Sequence, residues 1–177
     1  MSADIWLFGY GSIMWKTGFN YEERRLALLR DHARRFWQGS EDHRGIPGAP
    51  GRVVTLIHAP GELCWGMAYR LHADQLEETL SSLDYREKGG YARESIIMEF
   101  EDGHTATGMT YFATRDNPHF LGEAPDEDIA RQIASSHGPS GSNKAYILQL
   151  NQTLLNHRIR DDHVSVLTDL VVQITET

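Results

Sequence analysis

The fold is organised around the segment Ile5-Trp6-Leu7-Phe8-Gly9-Tyr10-Gly11-Ser12, in which a short apolar run ends in two glycines that flank one tyrosine. The apolar run predicts a buried β-strand, and the glycines permit backbone angles that other residues avoid. They also let a ligand approach the backbone closely, where successive N–H groups could bind its negative charge. The same pattern is common in tight turns between strands, so on its own it leaves a binding role open.

Two nucleotide-binding motifs are excluded at this segment. A dinucleotide-binding fingerprint requires a third glycine where the chain has Met14, and no Gly-Lys-Ser/Thr sequence follows, as a phosphate-binding loop requires. The turn therefore suits a small acidic substrate better than a nucleotide.

Length and composition predict a single domain spanning residues 1–177. A chain of 177 residues, of which 40% are hydrophobic, can form one substantial core without room for a separate cofactor domain. The net charge of -8 at pH 7 argues against a nucleic-acid or anionic-membrane partner, since either would favour a basic surface. The sequence predicts no particular oligomeric state.

The cysteine content and the apolar segments bear on cellular location. The single cysteine, Cys64, excludes an intrachain disulfide and a cysteine-cluster metal site, and it suits a reducing compartment. The N-terminus has no basic start followed by a long apolar run, and no apolar segment reaches the roughly 18 residues of a membrane span. We therefore expect a cytoplasmic protein that binds no membrane.

Residue patterns and turn residues predict an α+β fold, with a closed or strongly curved sheet and helices packed outside it. The expected strands are about Leu26 to Trp37, an antiparallel hairpin of Arg52–His58 and Leu63–Leu71 turning at Pro60-Gly61, and a second hairpin of Arg93–Phe100 and Thr105–Ala113 turning at Asp102-Gly103. The expected helices are Asp74 to about Arg86, a short one opened by Pro125, Asn143 to about His157, and a last one capped by Asp162.

Several common catalytic arrangements are missing from the sequence. None of the nine histidines belongs to a His-Glu-x-x-His motif, so we expect no metal site. Ser12 lacks the flanking glycines of a hydrolase nucleophile, and Cys64 lies in the middle of a predicted strand, which favours a buried and inert thiol. The remaining candidate is the carboxylate of Glu87, at the end of a predicted helix and directly before Gly89-Gly90; taken alone, this pattern is far more typical of a solvated surface residue.

The combination of motifs resembles the ChaC-type γ-glutamylcyclotransferases. The matching segments, in the same order, are Phe8-Gly9-Tyr10-Gly11-Ser12-Ile13, Arg34-Arg35-Phe36-Trp37-Gln38-Gly39-Ser40, Asp42-His43-Arg44-Gly45, Pro50-Gly51-Arg52-Val53-Val54-Thr55-Leu56, Trp65-Gly66, Arg86-Glu87-Lys88-Gly89-Gly90-Tyr91 and Gly138-Pro139-Ser140-Gly141-x-Asn143. They run from about Ile5 to Leu148, so only the last predicted helix lies outside them. Ile13 stands where the family commonly has leucine, which is a conservative change.

The resemblance implies a γ-glutamylcyclotransferase-like fold, a small mixed β-barrel with helices packed outside. It also implies an enzyme that splits glutathione into 5-oxoproline and cysteinylglycine without a metal or cofactor. In the family the glycine turn binds the γ-glutamyl group, and the glutamate of the Arg-Glu-Lys-Gly-Gly-Tyr motif accepts the proton, which corresponds to Glu87. The corresponding substrate-binding residues are Leu7, Phe8, Gly9, Tyr10, Gly11 and Ser12.

Two further residues are candidates on chemical grounds. Glutathione is anionic, so we expect an arginine among Arg35, Arg44 and Arg52 near its glycine end, and we select Arg35; pairing of these arginines with carboxylates is the structural alternative. Tyr146 could place a hydroxyl in the site, although a packing role is more usual for a partly buried tyrosine.

Two alternative functions remain compatible with the sequence. One is a cyclotransferase that acts on other γ-glutamyl peptides or amines, with the same fold and base. The other is a non-catalytic sensor linked to cation transport, because a fold and binding site can persist without catalysis. The presence of Glu87 favours an enzyme over the sensor.

Overall fold

The computed structural model describes residues 5–88 and 90–177. They form seven strands and four α-helices, with short 3-10 helices at Ser12–Met14 and Ala73–Gln75. The elements are β1 (Trp6–Gly9), β2 (Tyr21–Ser40), β3 (Gly51–Leu71), α1 (Leu76–Arg86), β4 (Tyr91–Phe100), β5 (Thr105–Ala113), α2 (Asp126–Ser135), β6 (His137–Gly138), β7 (Gly141–Ser142), α3 (Asn143–Asn156) and α4 (Asp162–Thr175).

The chain divides into two compact units, and the division falls inside the two longest strands. Unit 1 takes in the chain up to Ala33 and Leu56–Thr114, and unit 2 takes in Arg34–Thr55 and Arg115–Thr177. Unit 1 therefore holds β1, α1, β4 and β5, whereas unit 2 holds α2, α3 and α4. That the whole chain forms a single domain stays a prediction.

Unit 1 contains a closed barrel with the strand order β1-β3-β2-β4-β5. The short strand β1 closes it by pairing antiparallel with β3, where Leu7 faces Tyr69, and parallel with β5, where Leu7 faces Met109. Every residue of β1 is buried. Because the strand pairs on both sides, its backbone presents no free edge. The predicted α+β class and the small mixed barrel are confirmed.

Two glycines let the neighbouring strands approach β1 closely. A Cβ atom on Gly66 of β3 would overlap the carbonyl oxygen of Gly9, and one on Gly108 of β5 would lie 2.5 Å from the carbonyl oxygen of Trp6. Any other residue at these positions would push a strand away from β1. The register of β1 is thus set by small residues on both sides.

The predicted hairpin at Pro60-Gly61 is wrong, because β3 continues without reversal from Gly51 to Leu71. Gly61 has a φ of 85°, and its N–H donates to the side chain of Asp31 at 2.8 Å. Asp31 lies in the neighbouring strand β2 and itself has a φ of 59°. The irregularity is therefore absorbed within the β2–β3 pair, and this side-chain contact has no local signature in the sequence.

The other predicted elements of the barrel are confirmed. The segment from Leu26 to Trp37 lies within β2, and β4 pairs antiparallel with β5 from Tyr91 to Glu99. Gly103 in the connecting turn has a φ of 87°, as the Asp-Gly pair predicts. The predicted helix from Asp74 to Arg86 corresponds to a 3-10 turn followed by α1.

Unit 2 is built around three helices that pack on one another, α2, α3 and α4. Their mutual core contains Ile133, Ile147, Leu150, Leu167 and Val171, each fully buried. The hydrophobic effect of this burial stabilises the unit, because each such side chain contributes roughly 1.5–3 kcal/mol when it leaves water.

A buried ion pair attaches α4 to the end of β2 that belongs to unit 2. The guanidinium of Arg34, whose side chain is only 1% exposed, donates to Asp161 at 2.6 Å. Asp161 also caps α4, because its carboxylate accepts from the N–H of Val164 at 3.1 Å. The predicted cap, Asp162, is wrong by one residue, since Asp162 instead pairs with the exposed Arg160.

His163 at the start of α4 is held in its neutral form. Its Nε2 atom accepts a hydrogen bond from the N–H of Phe36 at 3.0 Å, which requires an unprotonated nitrogen. Burial, and after it the positive charge of Arg35, lower the pKa of His163 to about 4, because the nearby Asp161 offsets them only in part. Protonation of this histidine therefore opposes folding.

This arrangement predicts a pH-dependent stability. As the pH falls from about 6.5 to about 4, unfolded chains bind a proton at His163 and folded ones do not, so the free energy of unfolding should fall by up to about 3 kcal/mol. His163→Gln, which can still accept a hydrogen bond but does not titrate, should flatten this part of the profile. Urea unfolding between pH 4 and 7 measures the difference. The exposed His137→Gln serves as the control, and an equal slope in both variants would contradict the interpretation.

Candidate functional site

The glycine turn follows β1 directly and leads into the 3-10 helix. Tyr10 is buried, whereas Gly11 and Ser12 are half-buried and so partly accessible to solvent. The N–H of Met14 donates to the carbonyl of Gly11 at 2.9 Å, and that of Lys16 donates to Ser12 at 2.8 Å. The amides of the first 3-10 residues have no acceptor inside the helix, because a helix leaves its first N–H groups unpaired. The turn can thus offer N–H groups to a ligand.

The side chain of Tyr10 attaches this turn to β5. Its hydroxyl donates to the backbone carbonyl of Tyr111, and its ring stacks on Phe8 with centroids 6.4 Å apart. Tyr10 and Tyr111 are both buried in unit 1. The tyrosine between the two glycines therefore anchors the turn with its side chain.

Glu87 is the residue at which α1 ends. It is half-buried, and its N–H donates to the carbonyl of Leu83 at 2.9 Å. Its own carbonyl accepts from the N–H of Tyr91 at 3.2 Å, which closes the turn from α1 into β4. Gly90 within this turn has a φ of 111°, a conformation that glycine adopts without strain. The other predicted glycine of the cap, Gly89, lies outside the described residues.

Arg86, the residue before Glu87, connects the end of α1 to the glycine turn. Its Nη2 donates to the hydroxyl oxygen of Ser12 at 2.9 Å, and its Nη1 donates to the carbonyl of Thr17 at 2.9 Å. We call this pair of hydrogen bonds the Arg86 bridge. It ties the residue next to the predicted base to the predicted binding turn within unit 1.

Tyr111 interacts with both predicted parts of the site. Its backbone carbonyl accepts from Tyr10 of the glycine turn, and its hydroxyl is affected by the charge of Glu87. Its hydroxyl donates to Asp84 at 2.5 Å, and Arg93 lies 3.2 Å from the same carboxylate. Burial raises the pKa of the Tyr111 hydroxyl well above its usual range, the bond to Asp84 raises it further, and the negative charge of Glu87 adds to the effect. Tyr111 therefore remains a neutral donor, and Asp84 is committed to Tyr111 and Arg93.

The basic neighbours of Glu87 point to different partners. Lys88 is exposed, and its ammonium lies 4.0 Å from the ring centroid of Tyr85. Arg86 binds Ser12 and Thr17. The two positively charged residues that flank Glu87 in sequence thus bind different partners.

The other two predicted substrate contacts, Arg35 and Tyr146, belong to unit 2. Arg35 donates to the carbonyl of Arg34 at 2.8 Å. The buried Tyr146 packs its ring against Phe36 and accepts at its hydroxyl from the N–H of Val54 at 3.3 Å, which suits a packing role. Their participation in substrate binding stays a prediction.

Three further features of the described residues concern metal ligands, long apolar helices and the single cysteine. Within residues 5–88 and 90–177, no group of three or more His, Cys, Asp or Glu side chains is placed to hold a metal ion. None of the helices in this part of the chain is long and apolar enough to cross a membrane. Cys64 is buried in β3, as predicted for an inert thiol.

Comparison with known proteins decides the family. The profile of the family described as ChaC-like protein matches residues 5–174. The chain belongs to the ChaC-like family. The match reaches into α4 and so extends beyond the Ile5–Leu148 span of the sequence motifs.

Individual members of the family are similar along nearly the whole chain. Glutathione-specific gamma-glutamylcyclotransferase 1 of Rattus norvegicus is 40% identical over 173 residues, covering 94% of this chain and 78% of the relative. Glutathione-specific gamma-glutamylcyclotransferase of Saccharomyces cerevisiae is 30% identical over 223 residues, covering 99% of this chain and 96% of the relative. The crystal structure of the glutathione-specific enzyme from yeast superposes with a TM-score of 0.91 at 29% identity, with 97% of each chain covered.

The sequence analysis did not identify three residues that lie beside this candidate site, namely Asp84, Tyr111 and Arg93. Asp84, Tyr111 and Arg93 form one cluster, although Tyr111 is 27 residues from Asp84 along the chain. No local pattern indicates such a contact, because it depends on the pairing of β4 with β5 and on the position of α1. Arg86 stands inside a quoted motif, and its partners Ser12 and Thr17 became apparent only in the structure.

The anchoring role of Tyr10 predicts a loss of stability in Tyr10→Phe. Removing the hydroxyl leaves the buried carbonyl of Tyr111 without this donor, which should cost about 1 kcal/mol and lower Tm by roughly 2–4 °C. Thermal unfolding measures the change. Tyr85→Phe is the matched control, because that side chain is 71% exposed; equal Tm values for the two variants would show that the Tyr10 bond contributes nothing.

Proposed function

We propose that this protein is a glutathione-specific γ-glutamylcyclotransferase that converts glutathione into 5-oxoproline and cysteinylglycine. The names of its relatives point to this activity. The observation that carries the proposal is the Arg86 bridge, because it ties the residue next to Glu87 to Ser12 of the glycine turn. A candidate base and a candidate anion-binding backbone thus occur together in unit 1.

The reaction is intramolecular. The α-amine of the γ-glutamyl group attacks the γ-carbonyl carbon, a C–N bond closes the five-membered lactam, and the bond to the cysteine nitrogen breaks. Because the nucleophile is part of the substrate, ring closure supplies it at high effective concentration. The reaction therefore proceeds without a covalent enzyme intermediate, and none of its steps calls for a metal or cofactor.

Glu87 provides the proton transfers in this scheme. The substrate amine is an ammonium ion at neutral pH and must lose a proton before it can attack. The attacking nitrogen loses a second proton when it becomes the lactam N–H. The carboxylate of Glu87 accepts the two protons in turn, releases the first to solvent and delivers the second to the departing nitrogen of cysteinylglycine, so the enzyme returns to its starting form. The proposal assigns these transfers to Glu87 and not to Asp84, whose Oδ1 atom already accepts from Tyr111 and lies 3.2 Å from Arg93.

The glycine turn supplies the binding part of the scheme. In this proposal Leu7 to Ser12 hold the γ-glutamyl group, and the turn's N–H groups donate to its α-carboxylate and to the oxyanion that forms during attack. Tyr10 fixes the turn to β5, so these donors are held in place before substrate arrives. Preorganised donors stabilise developing charge more than mobile ones, because they need not reorient during the reaction.

The proposal also covers the substrate, the cellular location and the partners of the enzyme. Glutathione is the small-molecule substrate, and we propose that the protein acts in the cytoplasm. The single cysteine and the net charge of -8 agree with a reducing compartment and with the lack of a nucleic-acid or membrane partner.

The test is conversion of glutathione by the purified protein without added metal, read by mass spectrometry. Glu87→Gln should lower kcat by at least about 10²-fold with little change in Tm, because the amide cannot accept the proton. The exposed Glu101→Gln in the β4–β5 turn is the matched control and should retain wild-type activity.

The products discriminate between the candidate functions. Equimolar 5-oxoproline and cysteinylglycine from wild type support the proposal, whereas glutamate and cysteinylglycine would indicate hydrolysis. Turnover of γ-glutamyl-alanine or a γ-glutamyl-amine in place of glutathione would favour the broader cyclotransferase. No turnover of any γ-glutamyl compound would favour the non-catalytic sensor.

Arg35 can be tested through the glycine carboxylate of glutathione. If Arg35 binds that carboxylate, Arg35→Met should raise KM for glutathione about tenfold, and esterifying the carboxylate should raise the wild-type KM similarly without affecting the variant. The exposed Arg115→Met removes the same charge elsewhere and is the control. An unchanged KM for Arg35→Met, or the same ester effect in both proteins, would refute the assignment. Tyr146→Phe, tested in parallel, should alter KM only if its hydroxyl contacts substrate.

A further inference from the structure

Arg86 binds both ends of the segment Ser12–Thr17. One guanidinium nitrogen binds the hydroxyl of Ser12, where the 3-10 helix begins, and another binds the carbonyl of Thr17 beyond the helix end. The two partners lie 74 and 69 residues from Arg86 along the chain. This one side chain therefore fixes the segment Ser12–Thr17 against the end of α1.

The geometry requires an arginine. The two acceptors are separate oxygens, and a planar guanidinium can reach both at once with different nitrogens, whereas a lysine ammonium is a single point charge on a flexible stem. Both acceptors are neutral, so no carboxylate in the bridge cancels the charge of Arg86. Its position in the last turn of α1 also suits a cation, because the helix dipole is negative there.

The bond to Ser12 determines what the serine hydroxyl can do. The oxygen accepts from Arg86, and in the described part of the chain the hydroxyl hydrogen donates to no protein acceptor. A hydroxyl that accepts a hydrogen bond from a cation becomes a stronger donor, because hydrogen bonds in a chain polarise one another. Ser12 is also half-buried at the turn, so water only partly screens the interaction of its hydroxyl with a charged group.

We propose that Arg86 is a positioning residue that orients and polarises Ser12, so that the serine hydroxyl donates to the oxyanion formed during ring closure. This inference rests on the proposed function and deepens it by assigning an oxyanion donor and its support. Arg86 acts on the reaction through Ser12, and its bond to the carbonyl of Thr17 holds the guanidinium in place. The proposal thus separates Arg86 from Lys88, the other basic neighbour of Glu87, which is engaged with the ring of Tyr85.

The kinetic prediction is a loss of kcat without a loss of affinity. Removing an oxyanion donor in Ser12→Ala should lower kcat on the order of 10²-fold, and Arg86→Ala should lower it about tenfold or more, with KM changed less than about twofold in each. Lys88→Ala is the matched control, because it removes a positive charge on the other side of Glu87; it should retain wild-type kcat. A raised KM with unchanged kcat in Arg86→Ala would show ground-state binding and overturn the proposal.

Two measurements separate positioning from a general structural role. Guanidinium ion, added below the concentration that unfolds the protein, should restore much of the kcat of Arg86→Ala and none of that of Ser12→Ala. The double variant should be no slower than Ser12→Ala alone, because Arg86 acts through the serine. Absence of rescue, or losses that multiply in the double variant, would overturn the proposal.

A readout independent of activity keeps this inference distinct from the proposed function. Hydrogen exchange of the Ile13–Thr17 amides should be faster in Arg86→Ala than in wild type and unchanged in Lys88→Ala. If wild type fails to produce 5-oxoproline, the proposed function fails, while the exchange rates still test the bridge. If wild type is active and Arg86→Ala matches it in kcat and exchange, only the inference about Arg86 is overturned.

Discussion

The close approach of β1 to its two neighbours is the constraint on which unit 1 depends. β1 has four residues, all buried, and it closes the barrel by pairing with β3 on one side and β5 on the other. Gly66 and Gly108 make this possible, since a Cβ on either would strike the backbone of β1. The glycine turn begins where β1 ends, so the placement of the candidate site follows from the closure of the barrel.

Hydrogen bonds between parts of the chain that are distant in sequence then hold the turn. Tyr10 attaches it to β5, and Arg86 attaches it to the end of α1. Glu87 stands one residue further along, where the helix stops and the N–H of Tyr91 closes the next turn. This gives the proposed base a defined position, while Gly11 and Ser12 remain partly accessible. Rigid anchoring beside an accessible turn is what a binding site for a small substrate requires.

The arginines of unit 2 differ from one another in the groups that they contact. Arg34 is neutralised by Asp161 in a buried ion pair. Arg52 donates instead to neutral oxygens of Gln132, Phe36 and Gly122, and Arg44 lies over the ring of Tyr146. Burial lowers the pKa of both Arg44 and Arg52, and within the described residues neither is paired with a carboxylate. The unit thus retains local positive charge that the net charge of -8 conceals.

The sequence by itself determined the family, the barrel class, most strands and helices, and the candidates Glu87 and Leu7 to Ser12. These follow from local information: apolar patterning, Asp-Gly and Gly-Gly turns, and motifs of consecutive residues. Only the tertiary structure decided that β3 passes Pro60-Gly61 without reversing, that Asp161 caps α4, and that Arg86 binds Ser12. Each of these depends on a side chain that meets a partner far away in the chain, and such a contact exists only once strands and helices have packed.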